Sequence, residues 1–418
     1  MSALKKWLFV LAGLIAVLAV LPLVLPYDRV LPDVEKAMTA RLDIAAHVGN
    51  IGFSYSPKPQ LVLEQVTLGK DGEASIGKVI IPISLSNLLQ FRHSLSNVVL
   101  DSVQLKQEFA ISLPGRLKPN PDGRDIRFAS LRLENVNVSM KNGAIGPLSA
   151  VVTLNTDGTF KDVTISDKDG RAELNIKPKA DKFALEFSAK NWVLPGNYEA
   201  RFDQVTMRGM AGPEGIAIDY VNGFIFGAAA VGQAQLDWQN GWKLTGTLET
   251  KGMQVEPLIM LASANTRSTG RMAANVRFEY AGDGYETLFK QPRIEMQFLI
   301  SDGNLHNFDL VTPLKSQSPS ITQRGGQTRF ETFSGLAILD GSALALSKLQ
   351  LNGGKFSASG NLNVDDKQGL SGHINARLSA GALVVNAPLT IAGKLDAPEI
   401  RSGGAYKPGG DNGTTRIF

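Results

Sequence analysis

The chain contains no cysteine, and histidine occurs only four times among its 418 residues. Without cysteine there are no disulfides, no thiolate metal ligands and no cysteine nucleophile, which suits an oxidising compartment where a free thiol is a liability. The histidines, at positions 47, 93, 306 and 373, are far apart, and none has HxxH or HExxH spacing. The sequence therefore predicts no metal site.

Signatures of catalysis and of nucleotide binding are also missing. No GxSxG nucleophile elbow occurs. Residues 72–78 fit GxxxxGK, but Val79 stands where a Ser or Thr would hold Mg²⁺, and the segment leads into a strand rather than a helix. We therefore expect no enzyme, no catalytic residue and no cofactor.

Charge is nearly balanced, with 43 basic and 39 acidic side chains and a net charge of +4. No Lys/Arg block and no basic stripe interleaved with aromatic residues is present, so nucleic-acid binding is not expected. The chain is 43% hydrophobic and 20% charged, with 42 glycines and only 7% aromatic residues. That composition is typical of many short strands joined by turns.

An uncharged apolar run at residues 7–27 is the longest in the chain, and Lys5 and Lys6 precede it. A helix of 21 residues is about 30 Å long, which matches the hydrocarbon core of a bilayer. The run ends in bulky residues rather than a small-residue cleavage site, which favours an uncleaved anchor over a signal peptide. The two lysines predict a cytoplasmic N-terminus, and the predicted anchor includes Trp7, Leu14, Leu21 and Leu25.

Residues 28–46 have the three-to-four spacing of an amphipathic helix, with Pro32 in its first turn. Such a helix would either pack on the start of a sheet or lie along the membrane surface. A second short helix is expected at residues 255–264. Residues 315–326 and the glycine-rich tail from 402 are expected to be flexible.

From position 48 onward, alternation of apolar and polar residues dominates and predicts strands with one apolar face. The clearest runs are residues 99–113, 182–190, 274–280, 294–300, 356–364 and 389–395. Glycine, Asn and Asp mark the turns, and Trp238 and Trp242 flank one of them, so they should face each other across a hairpin. They would serve as core fillers or lie at the rim of a groove.

About 350 residues of strand with almost no helix leave two architectures open. Several sandwiches in series would cover the apolar faces in pairs. Alternatively, one long antiparallel sheet would curl into a trough with an apolar lining. In that trough, the predicted lining residues are Val103, Leu105, Phe109, Ile111, Phe183, Leu185, Phe187, Val276, Phe278, Ile294, Met296 and Phe298.

Several segments resemble the AsmA-like family. Residues 49–69 place an aromatic–Pro turn before a strand of the form L-x-L-x-x-V-x-L-G, and residues 79–105 continue the similarity. Residues 253–260, 301–310 and 389–398 resemble the family's P-L-L helix, its D-G-x-L strand end and its closing G-x-L-x-x-P. Asn307 departs from the usual glycine, and residues 110–250 match only in strand character.

The resemblance implies a mainly β protein of the Gram-negative inner membrane, with a long curled antiparallel sheet, one N-terminal transmembrane helix and few short helices. It also implies that an apolar β-groove carries phospholipid acyl chains and supports outer-membrane assembly. The corresponding division is a cytoplasmic end (1–6), the anchor (7–27), a helix at the groove entrance (28–46), two groove halves (47–250 and 251–401) and a tail (402–418).

With 20–25 strands about 4.8 Å apart, the groove would be about 100–120 Å long. Because this is short for crossing a periplasm, an envelope protein partner or self-association is expected. The alternative function is a scaffold that assists assembly of outer-membrane proteins without holding lipid.

Overall fold

A computed structural model of the chain describes residues 29–402 apart from 70–71, 84–96, 117–128, 141–142, 194–199, 262–266, 316–320 and 382. The described part of the chain is mainly β: 72% of it is strand, in one 22-stranded, mostly antiparallel sheet that is not closed, and its helices are few. The predicted class and the predicted number of strands are therefore confirmed. The predicted anchor at residues 7–27 lies outside the described residues.

The chain divides into two compact units, Met1–Leu185 and Glu186–Phe418. In unit 1, strands β1 to β8 pair in chain order, and all of these pairs are antiparallel except β4 with β5. These strands are β1 (Ala46–Ser54), β2 (Gln60–Leu68), β3 (Ala74–Pro82), β4 (Val98–Lys106), β5 (Ser130–Met140), β6 (Gly143–Leu154), β7 (Phe160–Asp167) and β8 (Ala172–Lys179).

In unit 2, strands β10 to β15 also pair in chain order, after which β15 pairs with β17 and the order continues to β22. The short strand β16 pairs instead with β22. The remaining strands are β9 (Lys182–Val193), β10 (Arg201–Gly212), β11 (Gly215–Ile225), β12 (Ala228–Asp237), β13 (Trp242–Gln254), β14 (Ser268–Gly282), β15 (Pro292–His306), β16 (Ile321–Arg324), β17 (Gln327–Asp340), β18 (Ala343–Gly353), β19 (Phe356–Val364), β20 (Leu370–Ala380), β21 (Leu383–Lys394) and β22 (Ala397–Ser402).

The helices in the described part of the chain are short. They are α1 (Leu31–Leu42), α2 (Gln107–Arg116), α3 (Val255–Met260), α4 (Tyr285–Leu288) and α5 (Thr312–Lys315). None of them is long and apolar enough to cross a membrane. The predicted helices near 28–46 and 255–264 are confirmed as α1 and α3.

Helix α1 packs on the sheet, which is the first of the two placements considered. Four of its apolar side chains contact the core of unit 1: Leu31, Val34, Met38 and Leu42. Two polar side chains on the helix also accept hydrogen bonds from β1, Glu35 Oε1 from the Val48 N–H at 2.8 Å and Thr39 Oγ1 from the Ala46 N–H at 3.1 Å. Because exposed strand edges invite pairing with other chains, these contacts protect part of the β1 edge.

The prediction of one continuous strand over residues 99–113 is wrong. Strand β4 ends at Lys106, and α2 follows it directly. Phe109 and Leu113, one helical turn apart, pack into the core of unit 1, whereas Ile111 is 62% exposed on the other side of α2. The alternation of apolar and polar residues continues from β4 into α2 by coincidence. Because Ile111 belongs to the helix and faces away from the core, it does not line the apolar side of the sheet.

The prediction of a flexible segment at residues 315–326 is also wrong for its described part. Residues 321–324 form β16, whose Ile321 and Arg324 are paired with Ser402 and Glu399 of β22. Asp302 lies within β15, with a left-handed φ of 52°. Residues 403–418 of the predicted tail lie outside the described residues.

Strands β1 to β5 share a local irregularity that keeps their apolar residues on one face. In each strand, two apolar positions with period two are followed by two extra residues and then by two further apolar positions, as in Leu61, Leu63, Val66 and Leu68. The two-residue insertions are 49–50, 64–65, 77–78, 101–102 and 134–135. At least one residue of each is left out of the pairing ladder while the register from β1 to β5 is kept, and the register shifts between β5 and β6. Such bulges bend and twist a strand.

Candidate apolar lipid-binding face

An unbroken row of apolar side chains crosses all eight strands of unit 1. Each member is paired directly with the next one across the ladder, and directly paired residues lie on the same face of a sheet. The row consists of Ile51, Leu63, Val79, Leu100, Leu133, Ala150, Ile165 and Leu174. Helices α1 and α2 pack against the same apolar core.

A second unbroken row crosses twelve strands of unit 2. It contains only apolar residues and glycine over β10–β15 and β17–β22. Its members, each paired with the next, are Met207, Val221, Gly232, Leu248, Val276, Met296, Ala337, Leu346, Leu362, Gly372, Ile391 and Ile400. We call the side of the sheet that carries this row the apolar face of unit 2.

The opposite face of the same strands is polar and solvated. Arg277 is paired with Glu295, and Asn275 is paired with Gln297, one residue away from row members in each case. The Lys243 Nζ and Glu279 Oε1 atoms form an exposed ion pair at 3.1 Å on the same side. The sheet of unit 2 thus has a solvated polar face and an apolar face, and consecutive residues of a strand alternate between the two.

Phenylalanine rings on the apolar face lie over glycines of the neighbouring strand. Phe278 is paired with Gly246, and Phe298 is paired with Gly335. A Cβ atom added at Gly246 would collide with the Phe278 ring, and one added at Gly335 would collide with Leu349 and crowd the Phe298 ring. Glycine therefore leaves room for each ring to lie flat against the sheet, so the rings project less from the apolar face.

Burial along the apolar face of unit 2 changes with position. Leu248, Val276 and Met296 are half-buried, so solvent reaches this part of the row. At the other end, Ile391 and Ile400 are only 2% and 1% exposed. The half-buried stretch is the part where an added molecule could contact the lining.

Most predicted lining residues lie on the apolar side of the sheet. In unit 1, Val103 is 1% exposed, and Leu105 is paired with Ala74 and Val138 in a second apolar row. Residues Phe183, Leu185 and Phe187 of β9, and Phe278 and Ile294 of unit 2, are half-buried. Val276 and Met296 are members of the unit 2 row, and Phe298 is buried beside it. Phe109 and Ile111 belong to α2 instead.

The two tryptophans at the β12–β13 turn face each other, as predicted. Their ring centroids are 5.9 Å apart, and Trp238 Nε1 donates a hydrogen bond to the Pro213 carbonyl at 2.9 Å. Both side chains are half-buried. Trp192 has a different environment, because it packs between Phe187 and Phe202.

Polar chemistry within the described part of the chain is sparse. No group of three or more acidic or histidine side chains there is arranged to hold a metal ion. Glu399 is the group whose pKa is perturbed, because Arg401 and then Arg324 donate hydrogen bonds to its carboxylate and lower its pKa. This cluster lies at the β16–β22 pair rather than along the row.

The sequence contained a signal for the bulged strands that simple alternation misses. The same two-residue slip recurs in unit 2 at Ser301–Asp302 and Ser347–Lys348, where Asp302 and Lys348 adopt left-handed φ values of 52°. A search for apolar-x-apolar-x-x-apolar-x-apolar would have found these strands in the sequence. Comparison of the chain with protein-family models, with curated proteins and with solved structures finds no match.

Proposed function

We propose that this chain is an AsmA-like, inner-membrane-anchored periplasmic protein that binds phospholipids along its apolar face and conducts them in support of outer-membrane assembly. The observation that carries the proposal is the row from Met207 to Ile400, which crosses twelve strands without one polar side chain. Apolar surface that stays in contact with water is costly, so a partly exposed row of this length favours an apolar ligand.

The dimensions of the row suit acyl chains. Twelve strands about 4.8 Å apart span about 53 Å, and the eight-strand row of unit 1 spans about 34 Å. One leaflet contributes about 15 Å to a hydrocarbon core of about 30 Å. Each row is therefore longer than one extended acyl chain, so one lipid tail would contact several consecutive strands.

The chemistry of the two faces also suits an amphiphile. An acyl chain on the row would meet hydrocarbon side chains and the flat rings of Phe278 and Phe298, and it would require no hydrogen bonds. Its phosphate headgroup would remain in water, where it loses no solvation. Binding and release along such a face need no catalytic group.

The anchor and compartment follow from the sequence alone. The apolar run at residues 7–27, preceded by Lys5 and Lys6, would hold the N-terminus in the inner membrane with the body in the periplasm. Helix α1 begins at Leu31 and packs on β1, so unit 1 would be the part next to the bilayer. A protein partner or a second copy would complete the path.

A photo-crosslinking experiment tests whether the row contacts lipid. The full-length chain is produced in cells fed radioactive phosphate, with benzoylphenylalanine at position 276 or, as the matched control, at position 275. Val276 and Asn275 are adjacent on β14 and point to opposite faces. We expect radioactive phospholipid on the protein crosslinked from position 276 and not from position 275.

A charge substitution tests the same face without a probe. Met296→Glu places a carboxylate among acyl chains, whereas Gln297→Glu places it on the solvated face one residue away. Lipid bound per protein should fall at least about tenfold for Met296→Glu and stay unchanged for Gln297→Glu. Absence of lipid from both crosslinking positions, together with normal envelope function of Met296→Glu, would favour a scaffold that assists assembly of outer-membrane proteins.

A further inference from the structure

The short strand β16 brings the last strand of unit 2 back towards β17. Arg324 is paired with Glu399 of β22, and Gln327, three residues later, begins β17. Three residues span at most about 11 Å, and paired Cα atoms are about 5.5 Å apart. Glu399 therefore lies within about 16 Å of Gln327.

A flat sheet could not satisfy that distance. Five steps separate β17 from β22, which is about 24 Å across the sheet. The row through Ile400 meets β17 at Ala337, ten residues from Gln327, which adds about 33 Å along the strand. A flat arrangement would separate the two points by about 40 Å. Strands β17–β22 must therefore coil tightly with the apolar face inside, and we call β16–β22 the C-terminal roll.

Protein side chains fill the interior of the C-terminal roll. Each strand from β17 to β22 contributes buried apolar residues, and two further buried leucines come from the segment between β15 and β16. The set comprises Leu310, Leu314, Phe330, Leu349, Leu351, Phe356, Ala358, Ile374, Ala376, Leu389, Ile391 and Ile400, all at most 8% exposed. Side chains packed to this degree leave no continuous space for an acyl chain.

Polar contacts hold the roll closed at two places. Thr328, 1% exposed, accepts a hydrogen bond from the Leu310 N–H at 2.9 Å and donates one to the Phe308 carbonyl at 2.7 Å. At the β16–β22 pair, both Arg324 and Arg401 contact the Glu399 carboxylate. The charge-assisted contact of Arg324 with Glu399 joins β16, which precedes β17, to β22, the last strand of the sheet.

Strands β10–β15 differ from the roll at the same positions of the row. Leu248, Val276 and Met296 are half-buried on β13–β15, whereas Gly372, Ile391 and Ile400 are buried on β20–β22. Leu346 and Leu362, on β18 and β19, are still half-buried, and Val221 on β11 is 7% exposed. The row is continuous across both parts, but its last three members are closed to solvent.

We propose that the apolar face of unit 2 has a blind end: lipid occupies β10–β15, and the C-terminal roll is a filled terminus that lipid does not enter. This inference rests on the proposed function and specifies which part of the row serves it. It implies that a lipid on unit 2 leaves by the open side of β10–β15 and not past β22. The about 53 Å row is thereby divided into an occupied stretch of about 24 Å and a structural stretch.

Single cysteines test the blind end, because the natural chain has none and background labelling is absent. Full-length Val276→Cys, Met296→Cys, Ile391→Cys and Ile400→Cys are each treated with a phospholipid whose acyl chain ends in a maleimide, and separately with N-ethylmaleimide. We expect both reagents to label positions 276 and 296 at least about tenfold faster than positions 391 and 400, in line with the burial of these side chains.

The outcomes separate this inference from the proposed function. Lipid labelling at position 391 or 400 as fast as at 296 would overturn the blind end while supporting lipid binding. If the lipid reagent labels none of the four positions while N-ethylmaleimide still labels 276 and 296 selectively, lipid binding is overturned. The C-terminal roll would then be a structural terminus only, and the blind end would fail together with the proposed function.

A crosslink across the roll supplies a second test. Thr322 and Arg401 are paired on β16 and β22, so Thr322→Cys with Arg401→Cys can form a disulfide that fixes the closed roll. In this background, a bound fluorescent phospholipid should exchange at the same rate with the disulfide formed or reduced. A slower exchange in the oxidised protein would show that lipid passes through the roll and would overturn the inference.

Discussion

Replacing Thr328 with valine removes a buried hydroxyl without changing the shape of the side chain. The hydroxyl joins the Leu310 N–H and the Phe308 carbonyl, at 2.9 Å and 2.7 Å, and Thr328 is 1% exposed. Losing the bond to the Leu310 N–H leaves a buried donor without a partner, which costs about 1–3 kcal/mol, and losing the bond to the Phe308 carbonyl costs about 1 kcal/mol. Because Leu310 is itself 5% exposed, we expect the local stability of the C-terminal roll to fall by about 2–4 kcal/mol.

Amide hydrogen exchange is the appropriate assay, because it reports local opening in a protein with two compact units. Protection of amides in β16 and β22 should fall by roughly 30- to 1000-fold, since 1.36 kcal/mol corresponds to a factor of ten. Amides of β1–β8 should be unaffected. Thr332→Val, an exposed change on the same strand, is the control. Equal protection in Thr328→Val and Thr332→Val would refute the role assigned to this hydroxyl.

Three further changes follow from the same contacts. Lys348 has a left-handed φ of 52°, which disfavours a β-branched side chain. Lys348→Val should therefore destabilise the folded protein by about 1–2 kcal/mol and lower its melting temperature, while Lys348→Gly should be neutral or slightly stabilising. Equal melting temperatures of the two variants would contradict backbone strain at this position. The pKa of Glu399 is lowered in the folded protein by Arg401 and Arg324, so its stabilisation is present above the ordinary carboxyl pKa of about 4.3 and lost as pH falls through the folded value. Exchange protection of β16 should therefore fall at acid pH, and Glu399→Gln should remove that dependence. Gly246→Val should displace the Phe278 ring and destabilise by about 1–3 kcal/mol in thermal unfolding, and the exposed change Thr247→Val should not.

Strand pattern was predictable because each strand keeps one apolar face, and alternation is a local property of the sequence. The errors occurred where local pattern and tertiary context diverge. Phe109 and Leu113 fit both a strand and a helix, and only packing against the core of unit 1 selects α2. Strand β16 has four residues, and its partner strand begins at Ala397. Nothing local distinguishes such a strand from a polar loop.

The position of the open stretch of the apolar face could not be derived from sequence either. Met296 and Ile391 belong to one row and are both apolar, yet one is half-buried and the other is 2% exposed. The difference comes from how β17–β22 coil, which depends on a pairing between β16 and β22. Sequence pattern therefore identified the lining, and tertiary structure determined which part of it is accessible.

The glycine content and the bulges have a common consequence for the apolar face. A bulge that inserts a single residue would turn the apolar side chains beyond it to the wrong face, because side-chain direction alternates at every residue. The two-residue slips, such as Glu64–Gln65 and Ser347–Lys348, admit a bend and then restore the original face. Glycines such as Gly246 allow a neighbouring ring to lie flat where a side chain would lift it. A protein whose core was covered by a second layer would gain by filling that space with side chains. Here the apolar face is instead continuous and flat, which favours a surface on which a flexible hydrocarbon chain lies. Residues outside the apolar row, such as Lys348 and Gly246, make that flat and continuous face possible.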